Sequence, residues 1–238
     1  MEVIILDNKI DIGLAIAKEI IKDIKNNPKL NLGLATGSSP LPLYKSLIEL
    51  SKLENISFKD ITTFNLDEYC GLSNDNKESY HYFMNENLFK YLDFSKDSHY
   101  FPSIDNVNNY DEIINNHGGI DIQILGIGAN GHIAFNEPNT PISSVTHITN
   151  LANKTILDNS RFFSNIDEVP TQAITMGLST ILKAKKIYLI ATGKNKAEAI
   201  SIMLKGKYIK ECPASALNLK KDNVYIYLDK DAASLISK

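Results

Sequence analysis

The sequence predicts an α/β fold built on a single doubly wound, mostly parallel sheet with helices on both faces, and three observations carry that prediction. Short apolar runs rich in β-branched residues alternate with longer stretches of helical periodicity along the chain. Several of these runs end in Gly, Ser, Thr or Asp, the residues of strand-to-helix turns. No internal repeat, low-complexity segment or Gly/Ser/Pro linker interrupts the pattern, so the 238 residues read as one domain.

Taken in order, Val3–Leu6 reads as a strand. Ile10–Lys25 reads as an amphipathic helix whose stripe is Ile10, Leu14, Ala17, Ile20, Ile21 and Ile24, closed by Asn26-Asn27-Pro28. Leu30–Ala35 is the second strand, followed by the turn Thr36-Gly37-Ser38-Ser39-Pro40 and a helix from Leu41 to Leu53. Ile61–Leu66 is the third strand and runs into Asp67-Glu68-Tyr69. A helix over Ser79–Tyr91, a short strand over His99–Phe101 and a helix over Asn109–Asn116 lead to the buried strand Ile120–Ile127. Val145–Thr149 reads as an edge strand, Lys154–Phe163 and Thr171–Lys183 as helices, and Lys186–Thr192 as a strand. Lys194–Leu204 is helical, Ala214–Leu217 a helical turn, Val224–Leu228 the last strand and Asp231–Ile236 a closing helix.

Composition narrows the function classes. A net charge of −3 and a pI near 6.0 supply no basic field for nucleic acid. No run approaches the roughly 18 apolar residues of a membrane span. Met1–Asp7 lacks the basic and apolar regions of a signal peptide. Cys70 and Cys212 lie far apart with no CxxC or CxxH companion, which predicts reduced thiols in a cytoplasmic protein and no zinc site.

The most informative stretch is Leu125-Gly126-Ile127-Gly128-Ala129-Asn130-Gly131-His132-Ile133-Ala134-Phe135-Asn136-Glu137-Pro138. It follows a predicted strand, so it lies at the carboxyl edge of the sheet, where open α/β sheets bind ligands. Glycines there let a ligand approach the backbone, and His132 and Glu137 are then displayed at a cleft mouth. Gly126 to Gly131 also spells the dinucleotide fingerprint GxGxxG. That reading requires a helix opening on the third glycine, whereas Pro138 stops any helix almost at once.

Two further loops reach the same edge. Thr36-Gly37-Ser38-Ser39 precedes a helix, where unpaired N–H groups and the helix dipole attract an anion; a simple helix cap is the competing reading. It lacks the Gly-Lys-Ser/Thr of a P-loop. Arg161 and Lys196 are the cations best spaced to join it. Asp67 and Glu68 follow the third strand, and adjacent carboxylates point apart, so at most one of them faces the cleft squarely.

Taken together, Leu34–Pro40, Phe64–Tyr69, Ser79–Met84, Gly126–Pro138 and Asn159–Phe163 resemble the glucosamine-6-phosphate deaminase family, over about residues 2–229. The Thr-Gly turn is shared with the related 6-phosphogluconolactonases, while Asp-Glu-Tyr and Phe-Asn-Glu-Pro are more specific to the deaminases. The resemblance implies conversion of glucosamine 6-phosphate and water to fructose 6-phosphate and ammonia, with no metal or organic cofactor. It implies that His132 assists ring opening, that Glu137 and Asn130 orient its imidazole, and that Asp67 moves the proton between C2 and C1. Thr36, Gly37, Ser38, Ser39, Arg161 and Lys196 would hold the phosphate, with Ala129, Gly131 and Glu68 as further substrate contacts and residues 154–183 as a mobile lid.

Asn130 departs from the family, many of whose members carry aspartate there; a neutral amide orients an imidazole without stabilising its charge. The short C-terminal end and Val145-Thr146-His147-Ile148-Thr149, in place of a basic segment, imply a monomer or small oligomer without activation by N-acetylglucosamine 6-phosphate. The competing readings are a lactonase, a non-enzymatic sugar-phosphate sensor and an NAD-linked oxidoreductase. The first leaves Asp67 without a C–H to abstract, the second calls for an attached DNA-binding segment, and the third rests on GxGxxG alone.

Overall fold

A computed structural model describes residues 1–160, 163–220 and 222–236. Seven strands form a wholly parallel sheet: β1 (Glu2–Leu6), β2 (Asn31–Leu34), β3 (Thr62–Asn65), β5 (His99–Tyr100), β6 (Ile122–Gly126), β9 (Lys186–Ala191) and β10 (Val224–Asp229). Their order is β1-β10-β9-β6-β2-β3-β5. From β2 the chain moves outward through β3 to β5, and from β6 it moves outward the other way through β9 to β10. Right-handed crossovers then place helices on both faces. Helices α1 (Lys9–Asn26), α2 (Leu41–Glu54) and α3 (Tyr80–Asn87) accompany the first direction, and α6 (Leu178–Leu182) and α7 (Ala197–Met203) the second. The direction of winding reverses between β2 and β6, and the crevice beyond their carboxyl ends is where a doubly wound sheet opens to a ligand.

Local chemistry explains the elements. In α1, Asn8 caps the first turn by accepting from the Ile10 and Asp11 amides at 2.9 and 3.1 Å. The buried stripe is Ile12, Ile16 and Ala17, Ile20 and Ile21, then Ile24, a 3.6-residue period that packs toward the sheet and α2. Ile10 and Leu14, placed on that stripe by the sequence, fall outside it and are exposed. β6 is buried along Ile122–Leu125, as expected of a central parallel strand.

A second sheet, absent from the sequence reading, carries part of the site. Strands β4 (Asp67–Tyr69), β8 (Gln172–Thr175) and β7 (His147–Asn150) pair antiparallel with β8 in the middle. The predicted helix over Thr171–Lys183 is therefore strand β8 followed by the short helix α6. Ala173, Ile174 and Thr175 are buried between two partner strands, and cross-strand pairing overrides local helical periodicity. Helix α4 (Tyr110–Asn116) and helix α5 (Asn153–Asn159) agree with their predicted positions within a few residues. The closing helix expected over Asp231–Ile236 is instead a series of turns, such as Ser234 N–H to the Asp231 carbonyl at 3.2 Å. No helix is long and apolar enough to cross a membrane among the described residues.

Candidate active site

The loops after β2, β3 and β6 converge on one cavity of about 300 Å³ at the winding reversal. Thr36–Ser39 form one wall, ahead of α2. Pro40 stands at the head of that 14-residue helix, and no side chain caps its first turn, so the helix-cap reading of this loop does not hold. The loop thus stands between the cavity and the positive end of the α2 dipole, an arrangement suited to an anion. The Tyr44 hydroxyl donates to the Ala35 carbonyl at 2.5 Å and fixes the loop from below. Lys196, in the tight turn Lys194–Lys196 after β9, reaches the same cavity. Arg161, the other expected cation, lies outside the described residues.

Asp67 is placed where the chain leaves the parallel sheet. The Leu66 amide still bonds the Leu34 carbonyl of β2 at 3.1 Å, while Asp67 already pairs with Thr175 of β8. Its carboxyl lines the cavity at 6% exposure. Burial, reinforced by the neighbouring Glu68 charge, pushes its pKa up to about 8. A carboxyl poised there takes and returns a proton near neutrality.

Glu68 points the other way and corrects the expectation of a substrate contact. Its carboxylate accepts from the Tyr69, Tyr80 and His81 amides at 2.8 to 3.0 Å and contacts His81 Nδ1 at 2.8 Å. It thus closes the N-terminus of α3, together with Ser79, whose hydroxyl accepts from the Tyr82 amide.

His132 borders the cavity with its ring against Gly128: a Cβ added there would stand 2.2 Å from the imidazole. Asn130 and Glu137 stand behind it. The Asn130 Nδ2 donates to Glu137 Oε2 at 2.8 Å, and its Oδ1 lies 2.7 Å from His132 Nδ1. A carboxylate only accepts, so the amide must turn its NH₂ to Glu137 and its carbonyl to the ring. His132 then carries a hydrogen on Nδ1, turned to the Asn130 carbonyl. Glu137 itself is 3.7 Å from Nδ1, so it reaches the imidazole through Asn130.

Gly131 holds this turn rather than meeting the cavity. It adopts φ +84°, its amide bonds the Gly128 carbonyl at 3.0 Å, and the Sγ of Cys212 fills the space a side chain would take. Ala129 lines the cavity. No helix opens at Gly131, so GxGxxG lacks the helix N-terminus that a dinucleotide requires.

The sequence reading assigned no role to an aromatic wall. Tyr69 contacts Tyr80, Phe135 and Phe163 with ring centroids 4.9, 5.7 and 5.8 Å apart, and all four line the cavity. The Tyr80 hydroxyl, kept neutral by burial, is hydrogen-bonded to Tyr69 and Thr36, tying this wall to the anion loop. Tyr80 and Phe83, three apart on α3, are the one signal that could have revealed it. No cluster of His, Cys, Asp and Glu suited to a metal ion occurs among the described residues.

Comparison with known proteins gives the chain its family. The family of glucosamine-6-phosphate isomerases and 6-phosphogluconolactonases matches residues 10–226. A glucosamine-6-phosphate deaminase of Mycoplasma mycoides is 50% identical over 240 residues, covering 100% of this chain and 98% of its own. One from Clostridium perfringens is 47% identical over 242 residues, 99% of this chain and 100% of its own. Among solved structures, a monomeric glucosamine-6-phosphate deaminase superposes with a TM-score of 0.96 at 42% identity, over 99% of this chain and 100% of that one. A 6-phosphogluconolactonase of Trypanosoma brucei shares the fold at 18% identity and a TM-score of 0.78, over 99% of this chain and 98% of that one. On the full-length match and the shared cavity-bearing sheet, the chain belongs to the glucosamine-6-phosphate isomerase/6-phosphogluconolactonase family.

Proposed function

We propose that this protein converts glucosamine 6-phosphate and water to fructose 6-phosphate and ammonia. The observation that carries the reading is the meeting of Asp67, the His132 imidazole and the Thr36–Ser39 loop ahead of α2 in one cavity. The deaminases at 47–50% identity over nearly the whole chain support it.

The phosphate sits on Thr36–Ser39, with Lys196 and Arg161 completing the clamp. His132 Nε2 accepts the proton of the anomeric hydroxyl, and a proton is returned to the ring oxygen as the C1–O5 bond breaks and an aldehyde forms. The Asp67 carboxylate then removes the C2 proton and gives it back at C1. With one proton of the substrate ammonium passing to O1, this reduces C1 to the alcohol and oxidises C2 to an iminium, so no external oxidant is needed. Water adds at C2, and nitrogen leaves as ammonia, giving the ketone. The substrate ammonium, entering beside Asp67, favours the ionised carboxylate that the first proton transfer requires.

The covering segment expected over residues 154–183 is confined to the part before β8, because residues 172–175 are the central strand of the small sheet. The chain acts as a single catalytic domain in the cytoplasm, needs no metal or organic cofactor, and binds neither nucleic acid nor a membrane. A monomer or small oligomer is supported by the monomeric relative at 42% identity, and the reading includes no effector activation. A hexamer with sigmoidal, effector-linearised kinetics would overturn that part. The reaction is tested by adding protein to glucosamine 6-phosphate without metal or nucleotide and following fructose 6-phosphate and ammonia. Binding of the sugar phosphate without release of either product would redirect the assignment to a lactonase or a sensor.

A further inference from the structure

Both oxygens of Glu137 are held, by different parts of the chain. Asn130 Nδ2 donates to Oε2 at 2.8 Å from the same loop. The hydroxyl of Thr155 donates to Oε1 from α5, a helix beyond β7. Thr155 is 4% exposed and borders the cavity, yet the reaction outlined above gives it nothing to do.

We infer that Thr155 is a positioning residue that acts on His132 through Glu137 and Asn130. A carboxylate tied at one oxygen turns about its Cγ–Cδ bond, whereas one tied at both does not. The distance from Glu137 Oε2 to His132 Nδ1 is 3.7 Å, about an ångström beyond a charge-assisted hydrogen bond. A released Glu137 can therefore turn onto the ring directly and displace the Asn130 carbonyl that now faces it. The Thr155 bond keeps the carboxylate out of that contact and leaves the amide as the only group between them. A carboxylate in that place would also accept the Nδ1 hydrogen but would favour a second proton on the ring, so the Thr155 bond, by keeping a neutral acceptor behind Nδ1, favours the form protonated on Nδ1 alone. Because Thr155 stands on α5, seating of that helix and readiness of the imidazole become one event.

The inference rests on the proposed ring-opening role of His132, and its test separates the two. Protein labelled with ¹⁵N-histidine reports which imidazole nitrogen of His132 is protonated, independently of turnover; a His132→Gln variant identifies its signals. Thr155→Val keeps the side-chain shape without the donor, Thr155→Ser keeps the donor, and Thr155→Ala serves if the valine variant does not fold. The expected result, near pH 7, is a ring protonated on Nδ1 alone in the native protein, protonated on both nitrogens in Thr155→Val, and returned to the native pattern in Thr155→Ser. In parallel, kcat on glucosamine 6-phosphate falls about tenfold in Thr155→Val with KM changed less than about twofold, and recovers in the serine variant. An unchanged His132 spectrum in the valine or alanine variant overturns the inference, even if kcat falls, because lost packing alone would produce that. A serine variant whose spectrum matches that of valine overturns it equally. A native protein inactive on glucosamine 6-phosphate defeats the functional reading, while the spectra still decide the role of Thr155.

Discussion

Asp67 and Glu68, neighbours on β4, divide two carboxylates between opposite faces: one lines the cavity, and the other is bound by three backbone amides at the start of α3. The charge of the second helps raise the pKa of the first. Chemistry and architecture thus meet in one dipeptide.

Replacing Asp67 by Asn removes the proton carrier and lowers kcat by roughly 10²- to 10⁴-fold. In the native protein, kcat/KM rises with pH as the carboxyl ionises, with an acid limb near its value of about 8. The limb of kcat lies lower, because bound ammonium favours the carboxylate. Steady-state rates from pH 5 to pH 9 check both limbs.

The same group ties stability to pH. Its folded value of about 8 lies above the roughly 3.9 of an unfolded aspartate, so the folded state binds the extra proton between them. The resulting stabilisation is fully present below the unfolded value and is lost as pH rises through about 8. Asp67→Asn lacks that loss, so its Tm exceeds the native one by a few °C at pH 8 and by less at pH 5. Thermal unfolding at the two pH values tests this, and a constant gap would contradict it.

Glu68→Ala leaves the buried Tyr69 amide and the half-buried Tyr80 and His81 amides at the head of α3 without an acceptor and costs roughly 1–3 kcal/mol in urea unfolding. Because Tyr80 and Phe83 ride on α3, KM for the sugar phosphate also rises.

Gly128→Ala drives a methyl group into the His132 ring and displaces it, lowering kcat about 100-fold while circular dichroism stays native. Lys196→Ala instead weakens the anion clamp: KM rises roughly 10- to 100-fold with kcat much less affected. Full kinetics of the two variants distinguish displacement of the acid–base group from loss of phosphate binding.

The parallel sheet was legible in the sequence because its strands are continuous apolar runs and its helices carry apolar stripes, as with Ala17, Ile20, Ile21 and Ile24, although Ile10 and Leu14 lie outside the buried face. The loops Thr36–Ser39 and Gly126–His132 were legible for the same reason, since each follows such a run. The small sheet was not. Gln172–Thr175 is a strand only because β4 and β7 flank it, a fact of long-range pairing that local periodicity does not record. The role of Glu68 was hidden likewise: its partners Tyr80 and His81 lie 12 and 13 residues away, beyond the reach of a local capping pattern.

The pairing of Asp67 with Thr175 joins segments nearly half the chain apart, and β8 also has to find β7 before the small sheet exists. Contacts of such sequence separation close late, because loop entropy must be overcome first. The proton carrier is therefore among the last groups set in place during refolding. Recovery of turnover lags the return of helical ellipticity, and a nascent chain that has not yet extruded residues 172–175 carries Asp67 without the strand that seats it.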